Sequence, residues 1–266
     1  VVGGVAISPD GRFGAATIQI AKTGPDSPEF FGISVWDLDS TETVKVLESE
    51  SGTDRSGWDR VFQFGEDGRL LSVGPSGLRR WNLETGESEV LSDESYYYGV
   101  ASSDSSRALL LQGEPDQGLM PFGRCVVHDL DSGRTTPLTV HGDRIANIAM
   151  DPAGSTVVTG DEDGVIRVGL NTGEEPHLLL GHVGQIYGLA IDPLGRWIAS
   201  SGQDNTIRLW PMPDLSKPPL HTLPREELIA KLKTLTNLRV VRDPESATGW
   251  KLTHDPFPGW ETAPTW

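Results

Sequence analysis

A chain of 266 residues can bury a sizeable hydrophobic core, and its 31 glycines, 19 prolines and 36% hydrophobic residues suit many short strands joined by turns. Its 38 acidic side chains outnumber 22 basic ones, a net charge of −16 that repels phosphate backbones and anionic lipid, so neither nucleic acid nor membrane is expected as a partner. The single cysteine, Cys125, rules out an intramolecular disulfide and any Cys-rich metal site, and no run of 18 apolar residues is present to span a bilayer.

The first residues, VVGGVAISPDG, carry no basic leader and read as the middle of a fold, so the chain is expected to be cut from something longer. From there a cassette recurs. The turns SPDGR (8–12), GEDGR (65–69), SDSSR (103–107), DPAGS (151–155) and DPLGR (192–196) each follow one short apolar strand and precede another. A third strand closes each cassette as ISVWD, LRRWN, CVVHD, VIRVG or TIRLW, and most continue through a turn into a fourth apolar run such as VKVL or HLLL. The segment AKTGPDSPEFFG (21–32) lengthens the first cassette and is predicted to be a loop between strands. Five copies of a four-stranded unit predict an all-β protein of stacked antiparallel sheets, since one such sheet alone buries neither face.

The last cassette carries Gly181-His182, Ser200, Asp204 and Trp210, the last closing IRLW. The fourth carries His141, Thr159 and Asp163 at the same separations, with Gly169 where the tryptophan would stand. The first three retain Trp36-Asp37, Trp81-Asn82 and His128-Asp129. On these residues the chain resembles the WD-repeat β-propeller family. The resemblance implies that His182, Ser200, Asp204 and Trp210 form a structural hydrogen-bond chain, echoed by His141, Thr159 and Asp163. A Ser–His–Asp hydrolase is the rival reading, but the echo with threonine at the serine position favours architecture. The implied blades are 1–50, 51–92, 93–139, 140–180 and 181–223. Rings of the family usually close with seven, so the resemblance implies an open arc whose missing blades lie upstream.

Residues 224–266 differ in character. TLPREELIAKLKTLTN (222–237) predicts one helix, with Pro224 in its first turn, Glu226 and Glu227 at its positive end, and an apolar stripe of Leu228, Ile229, Leu232 and Leu235. LRVV (238–241) and GWKL (249–252) predict a short strand pair, with Trp250, Trp260 and Trp266 either packing or forming an interface. This tail resembles segments that end bacterial WD-repeat proteins, some linked to serine/threonine kinase domains. No kinase motif occurs in the chain itself.

Family propellers most often meet partners on the face whose loops enter the innermost strands. Aligning the cassettes places Trp58, Arg60, Tyr96, Tyr98, Arg144, Gln185 and Tyr187 there, of which the Trp, Tyr and Arg members are types enriched at binding hot spots. In SYYYG (95–99), strict alternation would bury Tyr97 and turn Tyr96 and Tyr98 outward. Packing against neighbouring blades is the competing role for these rings. The run DEDG (161–164) is too short for a calcium loop, no two of the six histidines have helical metal spacing, and Cys125 sits in a core-like strand. No cofactor is expected. The expected function is a non-catalytic platform for protein or peptide partners within a larger bacterial signalling protein, with upstream blades or a kinase domain in the same polypeptide. The alternative is an enzyme or small-ligand binder using the central channel, which would need carboxylates or histidines aimed at the axis, where the strands instead read VAI, VFQF, GVAS, ANIAM and GLAI. The lone thiol leans towards an intracellular setting.

Overall fold

The computed structural model describes residues 4–20, 30–48, 60–75, 77–112, 123–234, 239–246 and 248–253. Two compact units result, Val1–Lys217 and Pro218–Trp266. The first is a succession of antiparallel sheets. Sheet one joins β1 (Val5–Ile7), β2 (Phe13–Ile20), β3 (Phe30–Asp37) and β4 (Thr43–Glu48). Sheet two joins β5 (Arg60–Phe64), β6 (Leu70–Gly74), β7 (Gly77–Trp81) and β8 (Ser88–Ser92). Sheet three joins β9 (Tyr96–Ala101), β10 (Arg107–Gln112), β11 (Arg124–Asp129) and β12 (Thr135–Pro137). Sheet four joins β13 (Ile145–Met150), β14 (Thr156–Asp161), β15 (Ile166–Leu170) and β16 (His177–Leu179). Sheet five holds β17 (Ile186–Ile191), β18 (Trp197–Gly202) and β19 (Ile207–Pro211). Among the described residues it has no fourth strand: the chain leaves β19 through Pro211, Pro213, Pro218 and Pro219, which lack the N–H a ladder needs.

The first strands β1, β5, β9, β13 and β17 neighbour one another in chain order, so the sheets fan from a common inner side in a propeller-like arrangement. Four apolar clusters fill the junctions. Ala15, Val35, Phe64 and Leu70 join sheets one and two, and Leu71, Leu78, Tyr96 and Leu110 join two and three. Leu109, Cys125, Ile148 and Val157 join three and four, and Val158, Val168, Ile186 and Ile198 join four and five. Each sheet thus buries one face on the next, the arrangement that makes a stack more stable than any single member.

Turn chemistry repeats with the sheets. The residue after the third strand's aromatic caps the next turn: Asp37 Oδ1 accepts from the N–H groups of Asp39 and Ser40, Asn82 Oδ1 from those of Glu84 and Thr85, and Asp129 Oδ1 from that of Ser132. The turn between first and second strands needs one left-handed residue, supplied by Gly11, Gly68, Gly154 and Gly195. Sheet three departs, placing Ser105 there at φ 54, with its hydroxyl buried and unpartnered. Ser105→Gly is expected to raise the unfolding free energy by about 1 kcal/mol in urea titration, because an L side chain in this region costs about 1–2 kcal/mol and the orphaned hydroxyl disappears.

The inner edge also carries a repeated irregularity. Between first and second strands the register slips at Phe62, Tyr97, Ala146 and Tyr187, each an extra residue bulged out of its ladder. Bulges re-aim side chains at sheet rims.

The second unit contains α1 (Arg225–Thr234) and the antiparallel pair β20 (Arg239–Arg242) and β21 (Trp250–Thr253). Leu228 and Ile229 are partly buried, whereas Trp250 is half exposed under the Arg242 guanidinium, 5.3 Å from its ring centroid. Leu235, Trp260 and Trp266 lie outside the described residues.

Candidate functional site

Two constellations warrant a chemical reading. In sheet five, His182 Nδ1 lies 2.9 Å from Asp204 Oδ2, and its Nε2 lies 2.7 Å from Ser200 Oγ. Trp210 Nε1 donates to the same Ser200 oxygen at 2.8 Å. With Nδ1–H donating to the carboxylate, Nε2 accepts the serine's proton, so every polar atom of the chain has a partner. Burial opposes ionisation of Asp204, but bonds from the Thr206 hydroxyl, His182 and the N–H groups of Thr206 and Val183 outweigh it and hold its carboxyl below the ordinary carboxylate range. The order Ser–His–Asp is that of a hydrolase, yet Ser200 is only 2% exposed and its oxygen is occupied by an indole N–H. No reacting carbon can reach it in this conformation, and the group reads as a tie between the loop entering sheet five and strands β18 and β19.

Sheet four carries a shorter version. His141 Nδ1 bonds to Thr159 Oγ1 at 3.0 Å, but its Nε2 is buried without a partner. Asp163, expected as the third member, is exposed and not bonded to His141. One residue beside the ring differs between the two sheets. The ring of His182 sits over Gly202, where an added Cβ would come within 2.8 Å of Nδ1. Asp161 fills the matching position in sheet four and directs its carboxylate to Arg167 at 2.6 Å. Burial, helped by the nearby Arg167 charge, pushes the His141 pKa down to about 4. Sheet two keeps only the far end, Trp81 Nε1 donating to Ser72 Oγ at 2.8 Å, a pair the sequence reading missed. Sheet three substitutes His128, bonded through Nδ1 to Thr135. Cys125 is fully buried, and burial pushes its thiol up to about 12, which makes it an inert core residue.

The second constellation lies at the bulged ends of the inner strands. Arg60, Tyr97, Tyr98, Asn147, Gln185 and Tyr187, with Ala146 and Ile186, line one cavity of about 200 Å³. Four different sheets contribute. Of the seven residues expected on the partner face, Arg60, Tyr98, Gln185 and Tyr187 are therefore brought together. Arg144 is not among them; it pairs with Glu162 of its own sheet. Trp58 lies outside the described residues.

Tyr96 corrects the expectation of an outward ring. It is 1% exposed, wedged in the core between sheets two and three, with its hydroxyl 3.1 Å from Ser92 Oγ. The bulge at Tyr97 breaks the alternation, since Tyr96 pairs with Gln112 and Tyr98 with Leu111. Tyr97 instead joins the cavity wall and donates to the Ile145 carbonyl across the junction at 3.4 Å. Asn147 Nδ2 donates to the Tyr187 carbonyl at 3.1 Å and fixes that bulge from the neighbouring sheet.

Burial raises the phenols of Tyr97 and Tyr98, so they stay neutral donors at neutral pH. No carboxylate is among the described residues of the wall. In a chain of charge −16 this gives, among the described residues, one guanidinium, three phenols and two amides. A larger open cleft of about 910 Å³ separates sheets one and two, but its cations are already engaged. Arg12 pairs with Asp37 at 3.2 Å, Arg69 with Asp67 at 3.5 Å, and Lys45 donates to the Glu84 carbonyl at 2.6 Å.

Residues 133–168 and 173–211 match the family model described as WD domain, G-beta repeat. Repeats of this family typically mediate protein–protein interactions. The first match contains His141, Thr159, Ala146 and Asn147, and the second contains the whole sheet-five network with Gln185 and Tyr187. Each match runs from the outermost strand of one sheet to the third strand of the next, so sequence repeat and sheet are out of phase by one strand. No curated protein matches the chain.

Proposed function

We propose that the chain is a non-catalytic interaction platform whose recognition point is the cavity lined by Arg60, Tyr97, Tyr98, Asn147, Gln185 and Tyr187. The observation that carries this reading is the convergence of four inner strands on one wall of aromatic, amide and guanidinium groups. These side chains supply amphipathic contact area at low entropic cost, as binding hot spots do. The volume of about 200 Å³ suits a single side chain of an extended peptide better than a free-standing metabolite. In the full polypeptide the platform serves a larger bacterial signalling protein, with either upstream blades that complete a seven-bladed ring or a kinase domain in the same chain. The tail's resemblance to segments that end bacterial WD-repeat proteins supports that setting.

Panning a random peptide display library on the wild type and on Arg60→Ala/Tyr98→Ala/Tyr187→Ala tests the reading. Peptides enriched on the wild type are expected to lose at least tenfold in retention on the variant, with an unchanged melting curve because all three side chains reach solvent. Enrichment that ignores the substitutions would move recognition elsewhere. A metabolite-induced thermal shift without peptide enrichment would favour the small-ligand alternative.

A further inference from the structure

The cavity at the bulged strand ends has a preferred sign of charge. Its three phenol rings alone would suit a cation, which the face of an aromatic ring attracts. The Arg60 guanidinium in the same wall reverses that preference, because a second cation beside it is repelled at short range. Its field is felt inside the wall: burial raises the Tyr97 phenol, and the Arg60 charge works against that rise. Elsewhere the sheets neutralise cations internally, Arg80 on Glu89 at 2.8 Å, Arg167 on Asp161 at 2.6 Å and Arg196 on Asp192 at 2.8 Å. Among the described residues no carboxylate pairs with Arg60.

The other polar groups of the wall complete a receptor for a group that only accepts. Tyr98 and Tyr187 each bring a hydroxyl proton, and the Gln185 side chain brings an amide N–H pair. The Tyr97 hydroxyl and an Asn147 N–H are already bonded to the Ile145 and Tyr187 carbonyls, which fixes the wall. An ionised carboxylate has acceptors alone, and its two coplanar oxygens match the guanidinium fork. A phosphate dianion is typically held by a cluster of arginines, whereas this wall holds one. The rim has the opposite sign. Asp93 and Glu94 stand just before β9, Asp143 just before β13 and Asp163 just after β14, all exposed at the same end of the sheets. Together with the charge of −16, these acids draw in a cationic segment before any local contact forms.

Resting on the recognition point proposed above, we infer that the cavity reads an aspartate or glutamate side chain carried by a basic peptide segment. Arg60 takes the carboxylate, with Tyr98, Tyr187 and Gln185 donating around it, and the acidic rim holds the flanking lysines and arginines.

The test is selection from a random peptide display library whose peptides are fused through their C-termini, so that only side chains offer carboxylates. Wild type, Arg60→Gln and Arg60→Glu are panned in parallel. Peptides retained by the wild type are expected to share one acid between basic residues, and Arg60→Glu is expected to select lysine or arginine at that position. In the leading peptide, synthesised with an amidated C-terminus, replacing the acid by its amide is expected to weaken binding to the wild type roughly tenfold, the scale of a charge-assisted hydrogen bond. Against Arg60→Gln the same replacement is expected to change little. Arg60 is exposed, and thermal melts verify that both variants fold. Peptides that lose retention on Arg60→Ala/Tyr98→Ala/Tyr187→Ala yet share no acid would overturn the carboxylate and leave the recognition point standing. No enrichment, or enrichment indifferent to that triple variant, would overturn both. A shared acid without basic neighbours would overturn the part assigned to the rim. Phosphoserine in place of the acid binding more than roughly tenfold tighter would reassign the cavity to phosphate.

Discussion

His182→Ala is expected to lower the unfolding free energy of the sheet-bearing unit by about 3 kcal/mol, read as a shift in the urea midpoint. The imidazole is fully buried and makes both central bonds of the chain from Asp204 to Ser200. Its loss leaves a cavity, a hydroxyl without its acceptor, and a loop no longer held to β18. Thr159→Ala in sheet four removes a single bond from an already incomplete group and is expected to have less than half that effect. The contrast between the sheets is the informative part. Comparable losses at both positions would mean that Asp204 and Trp210 add nothing to the tie.

The second large effect is a dependence on acidity. Burial holds the His141 pKa at about 4 in the folded chain, against 6.5 for the free side chain. The folded state therefore disfavours the protonated ring. Stability is complete above pH 6.5, begins to fall as the unfolded chain takes up its proton, and finishes falling near pH 4, where the folded ring titrates as well. The difference of about 2.5 pKa units corresponds to about 3 kcal/mol lost across that window. His128, also depressed by burial, acts in the same direction. Asp204 works lower on the scale: its carboxyl is held below the ordinary range, so its contribution is lost only as pH falls below the usual carboxylate value of 3.8. Chemical denaturation at pH 7, 5.5 and 4.5 is expected to show the decline in the wild type and a markedly flatter profile in His141→Asn, whose side chain carries no titrating proton.

What the sequence made legible was chemistry that has to be satisfied locally. Alternating apolar residues between recurrent turns announced the strands, and a histidine, a hydroxyl and an indole in a core-facing pattern announced that they would need each other. Asp163 fails because the aspartate's reach depends on the residue two positions earlier. Gly202 leaves room for the His182 ring, and Asp161 does not. Tyr96 and Tyr97 exchange their expected roles because a strict period of two cannot register an extra residue in a ladder. The cavity depended on the same irregularities, so no single cassette contains it. The Ser72–Trp81 pair was within reach: a hydroxyl on the second strand and an indole on the third stand there as Ser200 and Trp210 stand in sheet five. Its missing histidine hid it.

The one-strand offset between matched repeat and sheet bears on how the unit comes apart. Excising residues 173–211 would not lift out one wall and leave its neighbours whole; it would strip the rim from sheet four and carry off all of sheet five. Each unit of inheritance is thus shared between two units of architecture, like bricks laid in staggered courses. A break begun at one seam must cut across hydrogen-bonded ladder as well as slide along greasy surface, which binds the fate of neighbouring walls together when the molecule melts.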